Sequence, residues 1–583
     1  MPRPSSVQGA ARRAGLLGAA LAAACGGGRV GADEVDGRIV FVDVAQRAGI
    51  GVVNVCGDPR RWYIPESNGN GAAWLDHDGD GDLDLFVGNG ARLAYHDDGR
   101  RLEVVHGASS RLYRNDGGLR FTDVTDAAGA RRSDWINAVS VADVEGDGDP
   151  DLYLACFGPD VLLRNDGGVF VDATAAAGLG SELWGAGATF ADADRDGDLD
   201  LYVANYVLFD PGRPPHDGRR AVVDGVEIGW GPEGEAGEGI NPGAPDVFYL
   251  GDGTGRFREA TAEAGFAVPD ALCSYAAVFS DVTGDGWPDL LVANDLQPTQ
   301  LFVSLRDGTF REEGEARGFA FDAAGRATAA MGLAVEDVDG DGDQDVLRTN
   351  FDMEANCLHL NDGTGRFLDR AQAAGLAAPS VDRLGWGAAF FDADCDGDLD
   401  LLVANGHVLP QAEEIGMHPW AQQSQLFEAA AGGALGITWR DATARTGSGL
   451  APLRSARGLA LGDPDDDGDL DALIVDVDHP PRLLANESPR AGRWIGVRTV
   501  GTGGNRDALG AVVTVEAGGR RWTREVRRVQ GLYSSHDPRQ HFGLGDVQRV
   551  DRVEVRWPLG GTTVVEDPPL DAYTTITQEQ SAR

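Results

Sequence analysis

The sequence predicts an all-β chain: a seven-bladed β-propeller followed by a small β-sandwich-like domain. Three observations predict it. An aspartate-rich motif recurs seven times, each copy runs directly into a short apolar strand, and the repeats then carry a turn of the Asn-Asp-Gly kind between two apolar segments. Asn, Asp and Gly tolerate positive φ, so that turn joins a hairpin. Each repeat thus holds two hairpins, and four-stranded units arrayed in a ring leave only short, protected sheet edges.

The motifs begin at Asp76, Asp143, Asp192, Asp281, Asp337, Asp392 and Asp463. Counting that residue as position 1, oxygen-bearing side chains fall at positions 1, 3, 5 and 9 and glycine at position 6, while position 7 varies. The candidate metal residues are Asp76, Asp78, Asp80, Asp82 and Asp84; Asp143, Glu145, Asp147, Asp149 and Asp151; and Asp192, Asp194, Asp196, Asp198 and Asp200. They continue with Asp281, Thr283, Asp285, Trp287 and Asp289; Asp337, Asp339, Asp341, Asp343 and Asp345; Asp392, Asp394, Asp396, Asp398 and Asp400; and Asp463, Asp465, Asp467, Asp469 and Asp471. Calcium takes six to eight oxygens, and a tight loop supplies alternate carboxylates plus a backbone carbonyl at position 7. A position that accepts Trp287 suits a carbonyl ligand, and the glycine permits the sharp turn.

An EF-hand would need a glutamate at position 12 on an exiting helix. Here that position is Val87, Leu154 or Val203, on strand-like runs. Solvated acidic turns without metal fit less well, because unneutralised carboxylates a few Å apart repel by roughly 1–4 kcal/mol per pair. About seven structural Ca²⁺ ions are expected, the Thr283 site being one carboxylate short.

The strands follow the loops, as at Leu83 to Val87, Leu152 to Ala155, Leu199 to Ala204 and Leu399 to Ala404. A Phe-x-Asp-x-(Ala/Thr) segment with Ala-Gly beyond it normally ends a repeat. One copy, from Phe41 to Gly49, precedes the first motif, and none follows the last. The N-terminal strand is therefore expected to complete the seventh blade and close the ring. The propeller spans 39–489.

Residues 1–24 read as an export signal: Arg3, Arg12 and Arg13 precede an apolar stretch over 14–24. Cys25 then stands either as a lipidated cysteine after a lipobox-like Leu21-Ala-Ala-Ala, or beside an ordinary cleavage site. A linker covers 25–38 and a tail 579–583. No stretch is long and apolar enough for a transmembrane helix. The chain is expected to be exported, as an outer-membrane or cell-surface lipoprotein anchored through Cys25 or as a secreted protein, and to act as a monomer. With 42% apolar residues it can bury a large core, and its net charge of −43 argues against nucleic acid and anionic membranes as partners. Cys56, Cys156, Cys273, Cys357 and Cys395 form no CxxC pair and imply no disulfide framework.

Residues 490–578 alternate in short β segments: Trp494 to Thr499, Ala511 to Glu516, Trp522 to Val526, Val550 to Trp557 and Thr562 to Val565. His536 and His541 are candidate ligands or catalysts there, though a histidine in a strand context is more often structural. The Asp motifs resemble the FG-GAP or VCBS repeats of integrin-alpha-type propellers. Asn505-Arg-Asp-Ala-Leu-Gly510-Ala, Gly531-Leu-Tyr-Ser534-Ser, His541-Phe-Gly-Leu-Gly545 and Val553-Glu-Val-Arg-Trp557-Pro resemble the ASPIC/UnbV domain. Together they resemble the bacterial relatives of cartilage acidic protein. The resemblance implies an exported calcium-binding propeller with an appended β domain, and no particular activity.

The strand after each Asp loop ends at Asn89, Asn205, Asn294, Asn350 or Asn405 in five repeats, with Cys156 and Asp476 in the others. These residues lie on the propeller face opposite the loops. Asn side chains there either cap turns or, with Asp295, Glu354 and His407 just beyond, form a ligand face. Tyr206, Phe351 and Gly406 adjoin them, and long insertions near 209–245 and 407–423 follow two of them. No GxSxG elbow, HExxH, P-loop or Rossmann fingerprint is present. The expected function is a calcium-stabilised binding or adhesion protein for a protein or glycan ligand. The alternative is an extracytoplasmic enzyme or biosynthetic accessory protein with its site on the same face.

Overall fold

The computed structural model describes residues 39–59, 63–97, 101–212, 214, 221–223, 226–228 and 241–579. The expected signal peptide, the linker, Cys25 and most of the tail lie outside the described residues. Seven antiparallel sheets of four strands follow one another along the chain. Their first strands are Ala72–Leu75, Ile136–Ala142, Gly185–Ala191, Ser274–Ser280, Ala330–Glu336, Gly385–Phe391 and Ala456–Gly462. Each contacts the first strand of the sheets before and after it, and the seventh returns to the first. This closed cycle of inner strands is a β-propeller.

The ring closes as the sequence predicts. Phe41–Asp43 pairs antiparallel with Arg482–Asn486 of the seventh sheet, Phe41 opposite Asn486. In the first sheet Phe121–Asp123 takes the equivalent place beside Arg111–Asn115. The Ala-Gly signature after these outer strands is a single helical turn, as at Ala45–Ala48, Thr174–Ala177 and Ala371–Ala374. Gly49, Gly178 and Gly375 end those turns at φ 78–87°, the left-handed cap that glycine adopts without strain.

The inner strands are buried along their whole length. Sheet packs on sheet through alternating apolar side chains such as Leu201, Val203, Leu291 and Ala293. The described cysteines are all buried free thiols. Of the two insertions, the first carries the short ribbon Ala221–Val223 and Val226–Ile228, and the second a 3-10 turn at Ala412–Ile415.

The C-terminal domain is two facing sheets. Arg520–Glu525, Val512–Ala517, Arg552–Arg556 and Thr562–Glu566 form one. Gln540–Gly545, Arg493–Val500 and Tyr573–Thr577 form the other, the last pair parallel. The sequence pattern marks the first sheet and misses two strands of the second.

Between Glu525 and Gln540 the chain leaves this domain and enters the centre of the propeller. There the inner strands present unpaired backbone groups, which are costly when buried. Segment 527–537 pairs with them. Gly531 exchanges N–H···O=C bonds with Leu333 (2.6 and 3.0 Å), Val139 N–H donates to Tyr533 O (2.9 Å), and Ser535 exchanges bonds with Ala72 and Trp74 (3.0 and 3.2 Å). Trp386, Tyr275 and Arg457 surround the inserted Tyr533. The signature Gly531-Leu-Tyr-Ser534-Ser is therefore a plug.

Gly531 sits at φ 69°, and a Cβ there would lie 2.5 Å from Ala388 O. Gly531→Ala should lower stability by about 1–3 kcal/mol, read as a lower melting temperature. An unchanged melt would mean that the plug is not seated as described.

Candidate metal loops and the opposite face

Each Asp motif is the turn from an inner strand to its neighbour, and position 9 is always the first residue of the second strand. The loops share one internal design. The position-6 glycine N–H donates to the position-1 carboxylate at 2.7–3.3 Å, in all seven loops. The position-7 N–H donates to the position-5 carboxylate at 2.9–3.0 Å, whether that residue is Asp82, Asp149, Asp198, Trp287, Asp343, Asp398 or Asp469. A side chain at position 7 therefore plays no part in the turn, which is why tryptophan is tolerated.

Two features of the loop escape the sequence pattern. Position 4 is left-handed as well as position 6, with φ of 54–76° and 87–104° respectively, and Arg195, Cys395 and Asp466 carry it in three loops. Position 9 also braces the blade. One oxygen of Asp84, Asp151, Asp200, Asp289, Asp345, Asp400 or Asp471 accepts a backbone N–H from the third strand at 2.7–3.0 Å. In six loops the other oxygen accepts an N–H from the start of the loop at 2.9–3.1 Å. In the seventh, Pro464 offers no N–H and Asp471 Oδ2 is left buried without a partner.

The residues fit a hard divalent cation. Carboxylate oxygens of Asp76, Asp78 and Asp80 lie within 4.8 Å of one another, as do those of Asp192, Asp194 and Asp196, of Asp337, Asp339 and Asp345, and of Asp392, Asp394 and Asp400. Buried oxygens with no hydrogen-bond partner recur at ligand positions: Asp76 Oδ1, Glu145 Oε2, Asp192 Oδ2, Thr283 Oγ1 and Asp471 Oδ2. Burial, with neighbouring carboxylates, pushes Glu145, Asp192, Asp337 and Asp394 up to about 7 and Asp151 and Asp345 up to about 8. Such groups resist ionising together unless positive charge joins them. In the first loop His77 is an addition, its imidazole and its backbone N–H both meeting Asp84.

The C-terminal domain covers this face. Tyr573 Oη donates to Asp463 Oδ2 at 2.7 Å, Arg539 reaches Asp466 at 2.6 Å, and Trp522 Nε1 donates to Gly397 O at 3.1 Å. Trp494 lies so close over Gly468 that a Cβ would fall 2.0 Å from its ring. His541 stacks on Trp494 and bonds Gly468 O through Nε2 at 2.8 Å, while His536 Nδ1 accepts the Leu461 N–H. Burial pushes them down to about 3 and about 4, so both rings are neutral; both nitrogens of His536 are bonded, while His541 Nδ1 is buried without a partner.

On the opposite face the asparagines are buried and occupied within turns. Asn89 Nδ2 donates to Val53 O and Ser109 O, Asn205 to Pro245 O, Asn294 to Pro298 O, Asn350 to Ala355 O and Asn405 to Gln423 O. Their geometry is that of turn capping, and they offer no exposed side chain to a ligand. Asp295 is also buried, accepts the Tyr206 hydroxyl at 2.5 Å and is pushed up to about 7 by burial. Glu354 is near enough to add to that rise and accepts the Ala329 N–H at 2.9 Å. His407 is fully buried, its Nδ1 accepting the Leu409 N–H and its Nε2 3.9 Å from Asp352 Oδ2.

The sequence pattern misses Asp352 and His418. Asp352 is buried and meets His418 Nδ1 at 2.5 Å, and His418 Nε2 is 3.4 Å from Asp382. This face exposes charged groups such as Asp382 and Glu413, and large apolar side chains among them. Leu208, Leu296 and Met353 are 47%, 47% and 61% exposed, on the turns that follow the second strands of the third, fourth and fifth sheets. Leu296 and Met353 hold left-handed φ of 57° and 64°, a strained backbone for large side chains.

The FG-GAP-like repeat family matches residues 76–154, 146–203, 281–348 and 337–403, and the ASPIC and UnbV family matches residues 501–583. A search of curated proteins finds no match. Among solved structures, an Agrocybe aegerita lectin described as recognising non-reducing terminal N-acetylglucosamine is 14% identical, over 70% of this chain and 90% of its own, with a TM-score of 0.35. BBS1N in complex with ARL6DN is 10% identical over 77% of this chain and 96% of that one, at 0.38. YCF48 bound to D1 peptide is 9% identical over 77% and 96%, also at 0.38. The chain carries FG-GAP-like repeats and a C-terminal ASPIC and UnbV domain.

Proposed function

We propose that this protein is an exported, calcium-stabilised propeller that binds a protein or glycan ligand through the face opposite its Asp loops. One observation carries the choice of face: the C-terminal domain occupies the loop side and its plug fills the centre, while Leu208, Leu296 and Met353 stand bare on the other side. Large apolar side chains held exposed on strained turns favour a recognition role. The buried asparagines, Asp295 and His407 serve that face by fixing its turns.

Calcium would be held by positions 1, 3, 5 and 9 with the position-7 carbonyl, where it neutralises carboxylates that burial has destabilised. The chain's own residues hold the loop shape through the hydrogen bonds described above. The role of the ion in this reading is structural.

Three outcomes are expected. Chelator should lower the melting temperature of the calcium-loaded protein, because an ion bound only by the folded state stabilises it; an unchanged melt contradicts the role. Without metal, the raised carboxylates make stability greatest in acid and let it fall as pH rises through about 6 to 8. Saturating calcium should remove that fall, and a metal-free melt that instead rises over this range would contradict the assignment. For the ligand, a protein and glycan array should give a calcium-loaded hit that Leu296→Asp or Met353→Asp weakens about tenfold or more. Full retention of binding in both variants would exclude this face.

A further inference from the structure

A cavity of about 260 Å³ lies where the third and fourth Asp loops meet the C-terminal domain. Domain interfaces are a common place for small-molecule sites, and this volume falls just below their usual range of roughly 300–1,000 Å³. The ASPIC/UnbV signature segments converge on it: Leu509-Gly510 from one, Arg556-Trp557-Pro558 from another. The propeller adds Phe190, Phe279 and Pro288, so the walls are largely apolar.

The polar groups decide what the cavity takes. Its carboxylates are mostly spoken for. Both oxygens of Asp281 accept N–H groups of their own loop, Asp285 meets Trp287 N–H and Arg306, and Glu525 meets Ser280 and Arg527. The remaining free acceptor, Asp192 Oδ2, is a ligand position of the third metal loop. The donors are less fully used. Arg527 is 6% exposed and its Nε–H has no partner, although its other nitrogens are bonded. Arg556 forms no hydrogen bond or ion pair among the described residues, and Arg195 is anchored to Pro558 O beside it. The unmet demand is for an acceptor carrying negative charge.

We propose that this interdomain cavity is a binding site for a small organic carboxylate with an apolar body. The carboxylate meets Arg556, and the apolar part lies against Phe190, Phe279, Leu509 and Trp557. The inference rests on the calcium reading in one respect, since an ion in the third loop takes up Asp192 and removes its repulsion of the anion. Binding should accordingly be stronger in calcium than in chelator.

The full-length protein, loaded with calcium, is titrated with benzoate and with the neutral isostere benzamide by isothermal calorimetry or ligand-observed NMR. Saturable benzoate binding is expected, at least tenfold tighter than benzamide, because a charge-assisted pair is lost in the amide. Arg556→Ala should weaken benzoate about tenfold, and Leu509→Trp should abolish binding by filling the space, both with the wild-type melting temperature. If Leu509→Trp misfolds, Arg556→Ala alone decides, since Arg556 is exposed and structurally unpaired. No saturable benzoate binding, equal affinity for benzamide, or unchanged affinity in Arg556→Ala overturns the inference. Elemental analysis of the same sample reads the calcium content separately. A calcium-loaded protein that ignores benzoate defeats the cavity and spares the metal loops, whereas a protein that binds benzoate but takes up no stoichiometric calcium does the reverse.

Discussion

Every blade begins its second strand on a buried carboxylate, and the rest of the architecture hangs from that constraint. The position-9 aspartate ties the loop before it to the strand beside it, one oxygen to each side. A carboxylate is the one short side chain that can accept from two separate backbone donors in opposite directions, and both bonds gain strength from its charge. Burying that charge is costly, however, and here several acids share each site. The fold's most regular feature is thus also its most strained electrostatically. Thr283 and His77 depart from the pattern while both halves of the brace are kept, whereas Pro464 leaves only the bond to the third strand.

The two faces of the ring do different work because of where the C-terminal domain sits. Its plug supplies backbone partners to inner strands that a bare channel would leave unpaired, and its sheets lie over the Asp loops. Loops, plug and appended domain form one continuous packed unit. With calcium bound as proposed, metal binding, closure of the ring and docking of that domain would depend on one another. The opposite face is free of that load and is shaped by buried amide and carboxylate groups that hold its turns.

Much of this was legible in the residues. Alternation and turn chemistry located the four-strand repeat, and the unmatched Phe41 segment located the closing strand, because both are local patterns with a fixed period. The plug was not legible. Residues 527–537 have no periodicity, and their partners lie hundreds of positions away, at Ala72, Val139 and Leu333. Four of the five opposite-face asparagines end their strands as expected, while Asn89 lies two residues past Val87, and burial by turns that bring in Pro245, Ala355 or Gln423 is a tertiary fact. Asp352 and His418 meet across 66 positions of sequence, which no spacing rule reaches.

Bound cations, as proposed, would hold the buried carboxylates of all seven loops. Elemental analysis of the full-length protein, dialysed against excess calcium and then freed of unbound ion, tests it most directly. The account predicts about seven calcium ions per chain, with the Thr283 loop the first to empty on dilution. A protein that folds, keeps its melting temperature and carries no stoichiometric divalent cation would contradict it.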